Sequence, residues 1–175
     1  MSRVPPPLNH EEGPVKGRHS RQAPARERIV PVSDPTTPPR PHLPFFVYGT
    51  LRPGEVNHGL FLRGRTLREE PARLTDAVLY DGPGYPYAVD EPGGTVTGDL
   101  VTARPGTYGR LLAELDRLEE YTPGDPRSLY ERVVREVTTE AGPVRAWVYL
   151  AAPAVAARLR ARGERLRGGD WSARR

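Results

Sequence analysis

Proline is spread so unevenly along this chain that it sets the size of any fold the chain can adopt. Ten of the 21 prolines fall within residues 1–43. That stretch has almost no apolar clusters, so it cannot bury enough surface to offset the entropy of ordering it. Residues 1–43 are expected to be a disordered Pro/Arg-rich tail of extended, polyproline-like character. Residues 44–171 remain for the folded domain, enough for one core and too few for two. Residues 172–175 read as a short C-terminal tail.

Charge divides along the same boundaries. The formal net charge is +4. Residues 1–43 hold seven basic and four acidic side chains, and residues 156–175 hold seven and two. Residues 44–155 keep 12 basic against 16 acidic, so the expected folded core is acidic. A nucleic-acid protein carries its basic stripe on the folded surface, interleaved with aromatic residues. No nucleic-acid partner is expected here. No apolar run reaches the roughly 18–20 residues of a membrane span. Met1–Val30 has no apolar stretch of the secretory kind. The expectation is a cytoplasmic protein without a membrane partner, whose tail is at most a weak docking segment.

The inventory of reactive side chains is short. There is no cysteine, which excludes thiol nucleophiles and cysteine zinc sites. The four histidines, His10, His19, His42 and His58, all lie in the first 58 residues. Neither a multi-histidine metal centre nor a histidine-activated nucleophile fits that placement, and no cofactor or metal is expected. Serine-elbow, zinc-protease and phosphate-loop motifs are absent. Catalysis, if present, must use carboxylates, tyrosines, arginines and backbone amides.

Local patterns give the elements. Pro44–Tyr48 is a short β-rich run stopped by Gly49. Leu74–Tyr80 is a second strand, followed by a turn at Asp81-Gly82-Pro83-Gly84. Tyr85–Val89 and Thr95–Thr102 read as two strands separated by a turn at Glu91-Pro92-Gly93-Gly94. Between Tyr108 and Glu120, Leu111, Leu112, Leu115 and Leu118 recur at helical spacing. Tyr130–Thr139 and Val144–Ala151 are strands joined by a hairpin-like turn, and Pro153–Arg162 reads as helix. Five or six short strands around one amphipathic helix predict an α+β fold with a mixed sheet, curled into a small barrel.

Three features in this frame bear on chemistry. Glu119 falls seven residues after Leu112 and four after Leu115, which puts it on or beside the apolar stripe of the helix. A carboxylate there is costly unless paired or used. Burial and the helix C-terminus both raise its pKa, which suits a general base near neutrality. The competing reading pairs it with Arg132 or a neighbouring arginine at a frayed helix end. The second feature is Tyr48-Gly49-Thr50-Leu51, where a strand ends in a tight loop whose amides can form an anion nest or oxyanion hole, or simply a β-turn. The third is the pair of aromatic strands. Alternation puts Tyr130 with Arg132 on one face, and Trp147 with Tyr149 on another. Either pair lines a pocket or packs the core.

Taken in order, FVYGTLRPGEVNHGLF (46–61), GYPYAV (84–89), VTGDLV (96–101), LDRLEEY (115–121), SLYERVVREV (128–137), AWVYL (146–150) and GGDW (168–171) resemble the γ-glutamylcyclotransferase superfamily. The resemblance is to its γ-glutamylamine cyclotransferase-like branch and covers about Phe45–Trp171. The ordered set is more specific than any one member. It implies a compact mixed β-barrel with a shallow pocket. It also implies that Tyr48, Gly49, Thr50 and Leu51 hold a γ-glutamyl group through backbone amides, and that Glu119 is the catalytic glutamate. Tyr130 matches a pocket position. Arg132 matches a supporting one, and Asn57 completes the Arg-x-Gly-x-x-Asn that follows the loop. Two departures stand out. Glu120 occupies a position where the family often has glycine, and Gly98-Asp99 stands where Gly-Glu is usual.

The implied reaction needs no cofactor. A γ-glutamyl amide carries its own nucleophile, the α-amine, which attacks the γ-carbonyl and releases 5-oxoproline and a free amine. The rival expectation is a non-catalytic binding module on the same fold, recruited through its tail.

Overall fold

The computed structural model describes residues 42–174, and the expected tail, up to residue 41, lies outside the described residues. Five strands form a closed barrel in the order β1 (Phe45–Val47), β3 (Tyr87–Ala103), β2 (Thr66–Tyr80), β4 (Tyr130–Thr139), β5 (Gly142–Ala151). Among the described residues three α-helices accompany it: α1 (His58–Phe61), α2 (Tyr108–Leu118) and α3 (Pro153–Arg162). All strand pairs are antiparallel except the closing one, where Phe45 of β1 meets Trp147 of β5 in parallel. A backbone bond from Trp147 N–H to the Pro44 carbonyl, 2.8 Å, seals that seam. Among the described residues no helix is long and apolar enough to cross a membrane.

Alternate strand residues face opposite sides of the sheet, and the core divides accordingly. Phe46, Leu74, Leu79, Val96, Leu100 and Val148 form one buried set, joined only by other strand residues, by Tyr48 at the end of β1, and by Trp171 and Leu166 from the chain end. Phe45, Val47, Val78, Val89 and Val101 form the other, which includes Leu111 and Leu115 of α2 and Val155 of α3. A five-stranded barrel is narrower than the eight-stranded kind, whose interior holds side chains or one small ligand and no helix, so the set with helix residues is the outer face. The first set fills the barrel.

The two central strands differ from the sequence expectation. β2 runs for 15 residues and β3 for 17. The expected turn at Glu91-Pro92-Gly93-Gly94 is a bulge inside β3. Pairing runs from Thr75↔Thr95 to Ala77↔Asp90, so four residues of β3 stand opposite the single residue Asp76. Gly93 takes φ +78°, Asp76 takes φ +55°, and the Gly93 amide donates to Asp76 Oδ1 at 2.9 Å. A side chain from the facing strand thus holds the bulge, which accentuates the bend a barrel needs.

The described chain starts just before the expected domain and continues just past it. The His42 ring stacks on Tyr108 at 4.0 Å, and the Tyr108 hydroxyl donates to the Leu43 carbonyl at 3.0 Å. Ser172–Arg174 forms a 3-10 turn, and the Ser172 amide donates to Asp170 Oδ1 at 2.9 Å.

Candidate active site

The end of α2 determines where Glu119 points. The helix stops at Leu118, and Glu119 is its C-cap, with its amide bonded to the Leu115 carbonyl at 2.9 Å. Glu120 then takes φ +49°, its amide donates to Arg117 O at 3.3 Å, and the Tyr121 amide donates to Asp116 O at 2.8 Å. This pair of bonds around one left-handed residue is the Schellman termination, which normally uses glycine. The glycine preference that the family resemblance implies at position 120 has its physical reason here. Glu120 accepts a conformation that glycine takes without steric cost.

Glu119 lies in a cleft with the loop Tyr48–Leu51, Tyr85, Pro86, Tyr130 and Tyr149. Burial pushes the Glu119 carboxyl up to about 7. Its carboxylate has no hydrogen bond or ion pair to any described residue. The alternative pairing with Arg132 is not formed. Arg132 Nη1 instead contacts both Asp116 oxygens, at 3.0 and 2.8 Å. Its guanidinium lies 4.7 Å from the Trp147 ring and 5.5 Å from that of Tyr121. Its Nε is buried without a partner.

The loop is held from three sides. Gly49 is required by close approach: a Cβ there would sit 2.7 Å from Pro86 Cδ. Asn57 clasps Thr50 twice, through its amide to Thr50 O at 2.9 Å and through Nδ2 to Thr50 Oγ1 at 3.0 Å. Arg52 Nε donates to Asp99 at 2.7 Å, and its Nη1 donates to Asp170 at 2.7 Å. Held this way, the amides of Gly49, Thr50 and Leu51 donate to no acceptor among the described residues. Consecutive unsatisfied amides lining a cleft are available to an anion.

Most of the side-chain polar groups around the cleft are already engaged. The Tyr48 hydroxyl donates to Tyr149 O at 2.6 Å and accepts from the Ala88 amide at 3.4 Å. Tyr130 donates to Pro86 O at 2.8 Å and stacks on Tyr87 at 5.0 Å. Tyr149 donates to Asp116 Oδ1 at 2.7 Å. Burial first, and the Glu119 charge among smaller causes, raises all three phenols above their ordinary range, so they stay protonated donors to the protein. Leu51 is core. Of the residues assigned to the site from sequence, Tyr48, Gly49, Thr50, Leu51, Glu119 and Tyr130 meet in this cleft. Asn57 and Arg132 do not line it. Tyr85, Pro86, Asp99 and Asp116 were given no role from sequence. GYPYAV contains the first two, but a packing role for Pro86 against Gly49 leaves no local pattern. Among the described residues no three or more His, Asp or Glu side chains gather as a metal site requires.

A small closed barrel with a half-buried carboxylate, unpaired among the described residues, beside a run of free amides is the class that this fold and cleft define. The chain belongs to the gamma-glutamyl cyclotransferase, AIG2-like family, whose model matches residues 45–173. It is 36% identical over 106 residues to the gamma-L-glutamyl-butirosin B gamma-glutamyl cyclotransferase of Niallia circulans, a match covering 60% of this chain and 64% of that one. Among solved structures it resembles YkqA from Bacillus subtilis (TM-score 0.51, 27% identity), over 74% of this chain and 39% of that one. It also resembles an AIG2-like protein from Mus musculus (TM-score 0.50, 25% identity), over 63% of this chain and 77% of that one. The chain thus spans less than two thirds of the length of the first two relatives.

Proposed function

We propose that this chain is a γ-glutamylcyclotransferase that releases 5-oxoproline and a free amine from a γ-glutamyl amide, with Glu119 as general acid and base. One observation carries the reading: a carboxylate without a partner, with a pKa of about 7, shares a cleft with the free amides of Gly49, Thr50 and Leu51. The family membership and the Niallia circulans relative support the same chemistry.

In this reading ionised Glu119 takes a proton from the substrate α-ammonium. The freed amine attacks the γ-carbonyl carbon, and the carbonyl oxygen becomes an oxyanion facing the Gly49–Leu51 amides. Protonated Glu119 returns its proton to the amide nitrogen, the C–N bond breaks, the ring nitrogen loses its second proton through Glu119 to the departing amine, and 5-oxoproline and the amine, as its ammonium, leave. Because nucleophile and electrophile belong to one molecule, holding the chain in a folded geometry supplies much of the rate, up to ~7–11 kcal/mol for well-oriented intramolecular reactions.

The test is 5-oxoproline release from a panel of γ-glutamyl amides and dipeptides. Glu119→Gln is expected to keep the fold and lose turnover by roughly 10²–10⁴-fold. In the wild type, kcat/KM rises with pH through about 7 and then levels, since the base must be ionised in the free enzyme. Near-normal turnover by Glu119→Gln would remove Glu119 from the mechanism.

A further inference from the structure

Glu119 stands between two spaces. Beside the cleft lies a second recess, which shares Thr50, Tyr85, Glu119 and Tyr130 with it. In the cyclotransferase reading, on which this inference rests, the γ-glutamyl group occupies the side with the free amides. The leaving amine takes its proton from the same carboxylate, so it occupies the other side. The walls of that second recess are apolar at Val56, Leu118 and Leu129. Val56 is 74% exposed, an apolar side chain standing uncovered at the rim. The charged residues lining the recess are Glu119 and Glu120, with no Lys, Arg or His beside them. Glu120 is exposed, and its carboxylate bonds to no described residue. The left-handed turn of the Schellman termination places it there.

We propose that this recess receives the leaving amine, and that Glu120 makes it selective for alkyl amines carrying a second cationic group. The alkyl chain lies against Val56, Leu118 and Leu129, and the distal ammonium meets Glu120. An α-amino acid as leaving group would instead bring a carboxylate into a recess that offers two carboxylates and no cation. Diamine-type γ-glutamyl amides are therefore preferred over γ-glutamyl amides of neutral alkylamines, and both over γ-glutamyl dipeptides.

The test compares kcat/KM for the γ-glutamyl monoamide of 1,4-diaminobutane, γ-glutamyl-butylamide and γ-glutamyl-alanine, in wild type and Glu120→Gln. A partly exposed charge pair predicts a diamine preference of about two- to fivefold. That preference fades as salt shortens the screening length, and in Glu120→Gln the ratio falls to about one. A wild-type ratio of one, a ratio that survives Glu120→Gln, or a preference for γ-glutamyl-alanine overturns the assignment. A second arm needs no turnover. NMR titration compares 1,4-diaminobutane with butylamine as ligands of the same two proteins. If no amide releases 5-oxoproline but diaminobutane still binds tighter than butylamine in wild type alone, the cyclotransferase reading fails and the amine recess stands. Equal binding of the two amines ends the proposal whatever the turnover.

Discussion

Glu119 is the residue where stability and the proposed chemistry oppose each other. Its carboxyl sits at about 7 in the folded protein, against an ordinary 4.5, because burial disfavours the charge. Between those values the folded state keeps a proton that the unfolded chain has released. The native state therefore binds more protons, and stability falls as pH rises through about 4.5–7 and stays low above it. The loss is of the order of 3 kcal/mol, an upper figure because the cleft admits water. Glu119→Gln cannot ionise and escapes this loss. Urea midpoints at pH 4.5 and pH 8 are expected to be closer together in the variant than in the wild type, with the variant the more stable at pH 8. Equal pH dependence in both proteins would mean that Glu119 is solvated. The sequence carried half of this. Helical spacing put Glu119 on the buried side of α2, and its missing partner was not readable. Whether Arg132 pairs with Glu119 or with Asp116 depends on the register of β4 against β5, which sets Arg132 opposite Tyr149. Tyr149 in turn donates to Asp116.

At the scale of elements, the end of α2 is fixed by what β4 and β5 present to it. Asp116 takes a hydrogen bond from Tyr149 of β5 and an ion pair from Arg132 of β4, one turn before Glu119. The two partners are not equivalent. Asp116→Asn leaves a guanidinium packed between Trp147 and Tyr121 without its counter-ion, a loss of about 2–4 kcal/mol for so covered a pair. Arg132→Met removes that charge together with its unpartnered Nε and keeps apolar bulk in the same slot. It is expected to cost less than Asp116→Asn in chemical denaturation, and the reverse order would show that the guanidinium contributes mainly by stacking. Elements with local signals were legible: α3 and β4 match their expected bounds, β1 is one residue shorter at each end, and β5 starts two residues earlier than expected. The continuous β3 was not. Glu91-Pro92-Gly93-Gly94 has turn chemistry, and only Asp76 on the facing strand turns it into a bulge. The first half of β2 is polar and mostly uncovered, so its strand character comes from pairing with β3 rather than from any pattern of its own.

For the whole molecule the critical feature is closure. β1 has three residues and meets β5 at a single pair, so backbone pairing alone gives the barrel a weak seam. Side chains complete it. Trp171 is 2% exposed among the residues that fill the barrel, and Asp170 beside it receives Arg52, which also holds Asp99 of β3. The Tyr48 hydroxyl crosses from the end of β1 to the Tyr149 carbonyl and to the Ala88 amide. The loop with the free amides begins at this same tyrosine, so holding the barrel shut and holding the amides in place are one task. Tyr48→Phe keeps the ring and removes the bridge. It leaves a buried carbonyl without a donor, at a cost of about 1–3 kcal/mol. Hydrogen exchange is expected to speed up at the Trp147 amide, which bonds Pro44 across the seam, while the amides of the long β2–β3 pair change only as far as global stability does. Unchanged exchange at Trp147, with the global loss present, would mean that packing of Phe45 and Phe46 closes the barrel and that the hydroxyl serves the loop alone.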